Sequence, residues 1–325
     1  MIKVGVVGLG VMGQHHARVY AELDCELVGV VDPDEGRATQ VARQYNTHAY
    51  STHKELISRI DAVSIAVPTS LHKEITIDFL GHGVHCLVEK PIASNLEDAR
   101  EMIREADRNR AKLMVGHIER FNPAVQKLKR TIDQGILGKL MIVSFRRVGP
   151  FVPRIRDVGI IIDSATHDID VARYLVGNEV IGVFSKTGRF KHATKEDHAI
   201  ILLDFGDTTG CIEANWFTPH KERTLVATGS EAIAHLDYIK QELRVSDGCE
   251  TVTTRIDGRE PLRSELEHFL ECIRNDSIPL VTGTEGLRVL EIALEAASDY
   301  VGEHWQGEEQ PDDKTERLPA LAWRQ

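Results

Sequence analysis

Residues 2–13, IKVGVVGLGVMG, read as a β-branched strand running into three glycines, Gly8, Gly10 and Gly13. The next apolar run ends in Asp32, 19 residues beyond Gly13, close to the ~20-residue spacing of a dinucleotide-binding βαβ unit. Gly8 permits the tight turn, Gly10 lets the backbone approach a pyrophosphate, and Gly13 lets the following helix sit against the strand. The helical pattern then runs through Met12, His16, Val19 and Leu23. Its first turn, Gly10, Val11, Met12 and Gly13, presents free amides to the pyrophosphate. Asp32 would accept hydrogen bonds from ribose hydroxyls and repel a 2′-phosphate, which favours NAD over NADP as cofactor. Arg37 lies within sequence reach of a 2′-phosphate but reads as a solvent-facing helix residue.

Working outward, β-branched apolar runs at 3–7, 26–31, 62–67, 84–88 and 112–115 alternate with amphipathic helical patterns. That alternation predicts an α/β Rossmann domain, a doubly wound parallel sheet, over residues 1–120. Its ligand lies at the carboxyl ends of the strands. Those ends carry Gly8, Asp32, Pro68-Thr69, Glu89-Lys90-Pro91 and Gly116-His117. After Phe121 the texture changes. A helix passes through Lys127 and Lys129, a strand covers 140–147, and further strands at 180–187, 199–205, 209–216, 223–229 and 233–236 follow without helices between them. This predicts an α+β domain on an open, mainly antiparallel sheet over 121–301, closed by helices at 262–273 and 285–301. The polar stretch 302–325 reads as a tail or a clasping arm.

The chain has 325 residues, a net charge of −11 and a pI near 5.8, a balance that argues against nucleic acid or anionic membrane as the main partner. No apolar run approaches the ~20 residues of a membrane span. No basic-then-apolar leader opens the sequence, so a cytoplasmic location is expected. The five cysteines, Cys25, Cys86, Cys211, Cys249 and Cys272, are scattered and read as reduced thiols. The fifteen histidines include no pair at zinc-site spacing with a Cys or His partner, and no metal is expected. A sheet face left open to water predicts a homo-oligomer.

Two groups carry candidate chemistry. Lys90 follows a strand, between an acid that can orient it and a proline that stiffens the turn; its charge can stabilise a developing alkoxide. In Asp163-Ser164-Ala165-Thr166-His167, a helix starting near Asp163 would place Asp163 and His167 on one face and in contact. The carboxylate would then fix the imidazole tautomer and raise its basicity.

Taken in order and spacing, the glycine loop, Val67-Pro68-Thr69 with His72, Glu89-Lys90-Pro91, the segment Gly116-His117-Ile118-Glu119-Arg120-Phe121-Asn122-Pro123, and Asp163 to His167 resemble the glucose-fructose oxidoreductase and inositol dehydrogenase (Gfo/Idh/MocA) family over residues 1–300. The resemblance implies a nicotinamide between Lys90 and the Asp163/His167 pair, and a cis Lys90-Pro91 bond. It implies cofactor contacts from Pro68, Thr69, His72, Glu89 and Lys90, and substrate contacts from His117, Arg120, Asn122, Asp163 and His167. Two departures stand out. A single Gly159 replaces a run of glycines, and Gly116-His117 replaces Gly-Tyr or Gly-Phe. Arg146, Arg147, Arg154 and Arg156 fall within eleven residues and form a candidate anion-binding patch, suited to the diphosphate of a sugar nucleotide. With residues 117–123 and 157–170, the passage looks like family members that oxidise the 3-hydroxyl of UDP-N-acetylglucosamine. The expectation is an NAD-dependent dehydrogenase of that substrate. A free polyol such as myo-inositol, or a UDP-hexuronic acid, is the nearest alternative, and a non-catalytic NAD-binding regulator is the more distant one.

Overall fold

The structure, a computed structural model, describes residues 1–151, 158–192 and 194–298. The chain opens with β1 (Lys3–Val7), α1 (Val11–Glu22), β2 (Glu26–Val31), α2 (Glu35–Gln44), β3 (His48–Tyr50), β4 (Ala62–Ile65), α3 (His72–Leu80), β5 (His85–Glu89), α4 (Leu96–Asn109) and β6 (Leu113–Gly116). All six strands are parallel, in the order β3-β2-β1-β4-β5-β6. Chain order therefore reverses between β1 and β4, and the crevice at that reversal is where a doubly wound sheet takes a ligand. Strand β3 is three residues long and half polar, too short a pattern to be legible in sequence.

The second half comprises α5 (Pro123–Asp133), β7 (Leu140–Val148), α6 (Thr166–Val176), β8 (Gly182–Gly188), β9 (His198–Asp204), β10 (Thr209–Asn215), β11 (Glu222–Gly229), β12 (Ile233–Asp237), β13 (Glu242–Ser246), β14 (Thr251–Arg255), α7 (Pro261–Arg274) and α8 (Gly283–Ala297). Eight strands form one sheet, β14-β13-β12-β11-β7-β10-β9-β8, antiparallel except for β7 against β10. Alternation decides which face is covered. Val143, Phe145 and Arg147 of β7 and Leu225 and Ala227 of β11 lie on one face, with Ile161, Ile169 and Ala293 of the helical layer in the same core. The other face shows Ile142, Phe184, Ile200 and Leu202 to solvent.

One helix packs across the expected division between the two modules. Helix α7, which falls in the second region of the sequence, buries Leu262, Leu266, Phe269 and Leu270 in the core of the first sheet. The chain thus returns to its first module before ending. Among the described residues, no helix is long and apolar enough to cross a membrane, and all five cysteines are free. The 302–325 stretch lies outside the described residues.

Candidate active site

The glycine turn has the shape its sequence requires. Gly8 adopts φ +86°, and a Cβ there would come within 2.6 Å of the Ala66 carbonyl oxygen. A Cβ at Gly13 would lie 1.7 Å from the Gly8 oxygen, so α1 can approach β1 this closely only with glycine. Around Gly10 the opposite holds, with no atom within 4 Å of a built Cβ. Helix α1 has no side-chain cap, which leaves its first amides for an anion beside that open space, with Val11 and Met12 at its entrance. The residues present thus fit a dinucleotide pyrophosphate.

Asp32 does more than face a ribose. Its carboxylate accepts the Leu9 amide at 2.7 Å and the Asp34 amide at 2.9 Å, tying the end of β2 to the glycine turn. Arg37 is not simply solvent-facing: its guanidinium lies 3.4 Å from Asp32 and 3.2 Å from Asp34. Across the crevice, Pro68 and Thr69 open a short 3-10 turn before α3. His72 is buried behind it, with Nδ1 3.0 Å from the Pro91 carbonyl oxygen and Nε2 3.0 Å from that of Val67. Both ring nitrogens lie against backbone carbonyls, Pro91 and Val67, so His72 braces two loops that face the cofactor crevice. Burial holds this imidazole below its ordinary range.

Lys90 follows β5, and the Lys90-Pro91 bond is cis. Its ammonium donates to the main-chain oxygen of Asp163 at 2.5 Å, a contact from the first sheet to the helical layer of the second. Glu89 holds the Lys90 backbone amide (3.2 Å) rather than its ammonium. Beneath it runs a buried polar chain: Glu89 to His16 Nε2 (3.0 Å), His16 Nδ1 to Ser64 (2.9 Å), and Ser64 to the Tyr20 hydroxyl (2.9 Å). Burial would raise the Glu89 carboxyl, but His16 and Lys90 keep it below its ordinary range. Burial lowers Lys90, partly offset by Asp163 and Glu89 and reinforced by Arg147 and Arg223.

The Asp163/His167 contact does not form. Residues Ile161–Ala165 make a π-helical turn, wider than the α-helical pitch on which the four-residue spacing depends. The Asp163 carboxylate instead accepts the Ser164 hydroxyl at 2.8 Å, and His167 Nδ1 is enclosed without a partner. The expected rise in His167 basicity is reversed. Burial, then the charges of Lys90, Arg147, His117 and Arg223, holds the imidazole well below its ordinary range. A π turn at this position is the kind of irregularity that clusters at functional sites.

Four of the expected substrate-contact residues have their side chains engaged by other groups of the protein. Arg120 is buried, with Nε 2.9 Å from Asp170, one terminal nitrogen 2.5 Å from Glu285 and the other 3.3 Å from the Leu280 oxygen. Asn122 caps α5 through the Ala124 amide (3.0 Å) and donates to Glu119 (3.0 Å). Arg146 lies on the open face of the sheet, bound to Glu213 at 2.7 Å and Glu222 at 3.2 Å. Arg147, one residue on, points to the covered face, but Asp168 (2.9 and 2.8 Å) and Glu119 (3.2 Å) take up its guanidinium. Arg154, Arg156 and Asp157 lie outside the described residues.

His117 lies within electrostatic reach of His167 and Lys90. It is buried, both ring nitrogens lack partners, and burial lowers it further. Sequence reasoning did not single out Ser64, Arg223 or Glu265. Glu265, on α7, is buried with both oxygens unpartnered; burial, with Glu89 and Asp170 nearby, pushes its carboxyl well above the usual carboxylate range.

Comparison with known proteins accords with this geometry. Residues 2–117 match the oxidoreductase family with an NAD-binding Rossmann fold, and residues 125–235 match the GFO/IDH/MocA C-terminal domain. The chain is 31% identical over 309 residues to a UDP-N-acetylglucosamine 3-dehydrogenase of Acidithiobacillus ferrooxidans, spanning 90% of this chain and 96% of that one. A crystal form of that enzyme superposes with a TM-score of 0.86 at 30% identity, covering 91% and 96% of the two chains. A scyllo-inositol 2-dehydrogenase (NAD(+)) of Bacillus subtilis is 30% identical over 323 residues, 92% of this chain and 94% of the relative. With a glycine turn shaped for a dinucleotide and matches along both modules, the chain belongs to the Gfo/Idh/MocA family of NAD-dependent sugar and polyol oxidoreductases.

Proposed function

We propose that this protein oxidises a secondary hydroxyl of a sugar nucleotide, the 3-hydroxyl of UDP-N-acetylglucosamine, to a 3-keto sugar with NAD. The observation that carries the reading is the bridge between modules, in which Lys90 from the β5 end reaches the Asp163 turn that precedes His167. In this account His167, neutral because its surroundings are cationic and largely dry, takes the hydroxyl proton. Lys90 donates to the same oxygen and stabilises its developing charge. Asp163 acts through its main-chain oxygen, which holds the Lys90 ammonium in place. Gly10, the first turn of α1 and Asp32 would hold NAD, which when bound supplies the hydride acceptor. The protein contributes position and charge.

The 3-hydroxyl assignment is supported by the similarity to the UDP-N-acetylglucosamine enzyme. The Arg146 to Arg156 patch lends it less support than its sequence promised, because Arg146 faces away and Arg147 is already paired. A free polyol is the second reading, favoured by the inositol dehydrogenase likeness. Incubation with NAD and a panel of UDP-sugars and polyols, read at the NADH absorbance band, separates them. Reduction by UDP-N-acetylglucosamine is expected; reduction by polyols alone overturns the assignment.

The free cysteines support a reducing, cytoplasmic setting. The exposed Ile142, Phe184, Ile200 and Leu202 support self-association through the open sheet face. Sedimentation velocity is expected to return a dimer or larger; a purely monomeric species contradicts this.

A further inference from the structure

Two strands of the second sheet bring like charges together. Strands β7 and β11 pair antiparallel with Arg147 directly opposite Arg223. Residue parity puts both side chains on the covered face, Arg147 in step with Val143 and Phe145, Arg223 in step with Leu225 and Ala227. Directly opposed like charges on one face destabilise a sheet unless something compensates them.

For Arg147 the compensation is complete. Asp168 and Glu119 take its guanidinium, and the Tyr238 ring lies 5.4 Å beneath it. For Arg223 it is not. Its one ion pair among the described residues is with Glu119 at 4.0 Å, and that carboxylate already serves Arg147 and Asn122. Two residues earlier, at the mouth of the same strand, exposed Lys221 packs beside Gly149, a Cβ there lying 3.8 Å from the Lys221 Cα, an ordinary contact. No acid pairs with Lys221 among the described residues, and the charge of Arg223 is the largest influence holding its ammonium below the ordinary range. Within ion-pair distance among the described residues, the three cations Arg147, Arg223 and Lys221 meet two carboxylates, Glu119 and Asp168, both taken up by Arg147. At that range positive charge is left over, in a chain whose total is −11. Arg223 also bears on the reacting groups: its charge lowers both Lys90 and His167, and it is itself acted on by Asp163.

We infer that Arg223 and Lys221 form an anion subsite beside the reacting hydroxyl and hold a phosphoryl or carboxylate group of the substrate. A half-exposed guanidinium with free donors suits either group by its fork geometry, and the neighbouring ammonium adds a second charge. An anion seated there would also offset the cationic field that keeps His167 a weak base. The inference rests on the dehydrogenase reading of Lys90 and His167, and extends it from the reacting carbon to the substrate's charge.

The test measures KM and kcat with NAD for the wild type, Arg223→Gln, Arg223→Lys and Lys221→Gln. The substrates are UDP-N-acetylglucosamine, glucuronate and myo-inositol, and NADH fluorescence titration verifies that each variant retains its cofactor site. Loss of a charge-assisted contact predicts a KM for the anionic substrate about 10- to 100-fold higher in Arg223→Gln, with a smaller change in kcat and partial rescue in Arg223→Lys. A KM unchanged within about twofold, with UDP-N-acetylglucosamine oxidised normally, overturns the subsite and leaves the proposed function standing. Oxidation of glucuronate but not UDP-N-acetylglucosamine, with KM raised in the variant, keeps the subsite as a carboxylate site and overturns the proposed substrate. Turnover of myo-inositol alone overturns both.

Discussion

Replacing His167 by alanine is expected to lower kcat by about 10²- to 10⁴-fold, the usual contribution of a positioned general base, while NADH binding measured by fluorescence stays near the wild-type value. The two readouts separate because the glycine turn and Asp32 sit on the first sheet, whereas His167 begins a helix of the second. The pH dependence follows from the direction of the shift. Burial and the surrounding cations hold the imidazole well below its ordinary value of 6.5, so the neutral, proton-accepting form persists as pH falls through that value. kcat/KM should be level across neutral pH and decline only well below 6.5. An acid limb centred at or above 6.5, or undiminished turnover in the alanine variant, removes His167 from the proton-accepting role.

Replacing Lys90 by methionine is the second large effect, with an expected loss of about 10²- to 10³-fold in kcat, comparable to deleting an oxyanion-hole donor. Methionine keeps much of the apolar stem and removes the charge. It also removes the 2.5 Å bond to the Asp163 oxygen, so part of the loss would come from a loosened π turn. Lys90→Arg distinguishes the two contributions. A guanidinium can still reach a carbonyl oxygen but presents a different donor geometry to the substrate. Partial recovery is therefore expected. A methionine variant with wild-type kcat and only a raised KM would reduce Lys90 to a binding residue.

The first module was legible because its signals are local. Gly8, Gly10 and Gly13 answer to backbone geometry within six residues, and β1 and β2 have the bounds their apolar runs predict. The site residues were less legible where their partners lie far along the chain. Arg120 and Asn122 carry the motif's chemistry on paper, yet Asp170, Glu285 and Gln241, which occupy them, are 50, 165 and 119 residues away. Asp163 and His167 were paired by assuming the pitch of an α-helix, and nothing in Ile160 to Thr166 announces a π turn. Arg146 and Arg147 read as one patch, although strand parity sends adjacent side chains to opposite faces. The same parity, applied to Arg223, Leu225 and Ala227, is the signal that would have found Arg223.

The central claim is that an ammonium from the first module and an imidazole from the second act on one hydroxyl as a unit. A double-variant cycle in kcat tests it most directly, comparing Lys90→Met, His167→Ala and the combination on the substrate that the wild type oxidises. Groups that act together are non-additive, so the double variant is predicted to lose scarcely more than the worse single one. Losses that simply multiply would mean that the two side chains work independently, and would contradict the account.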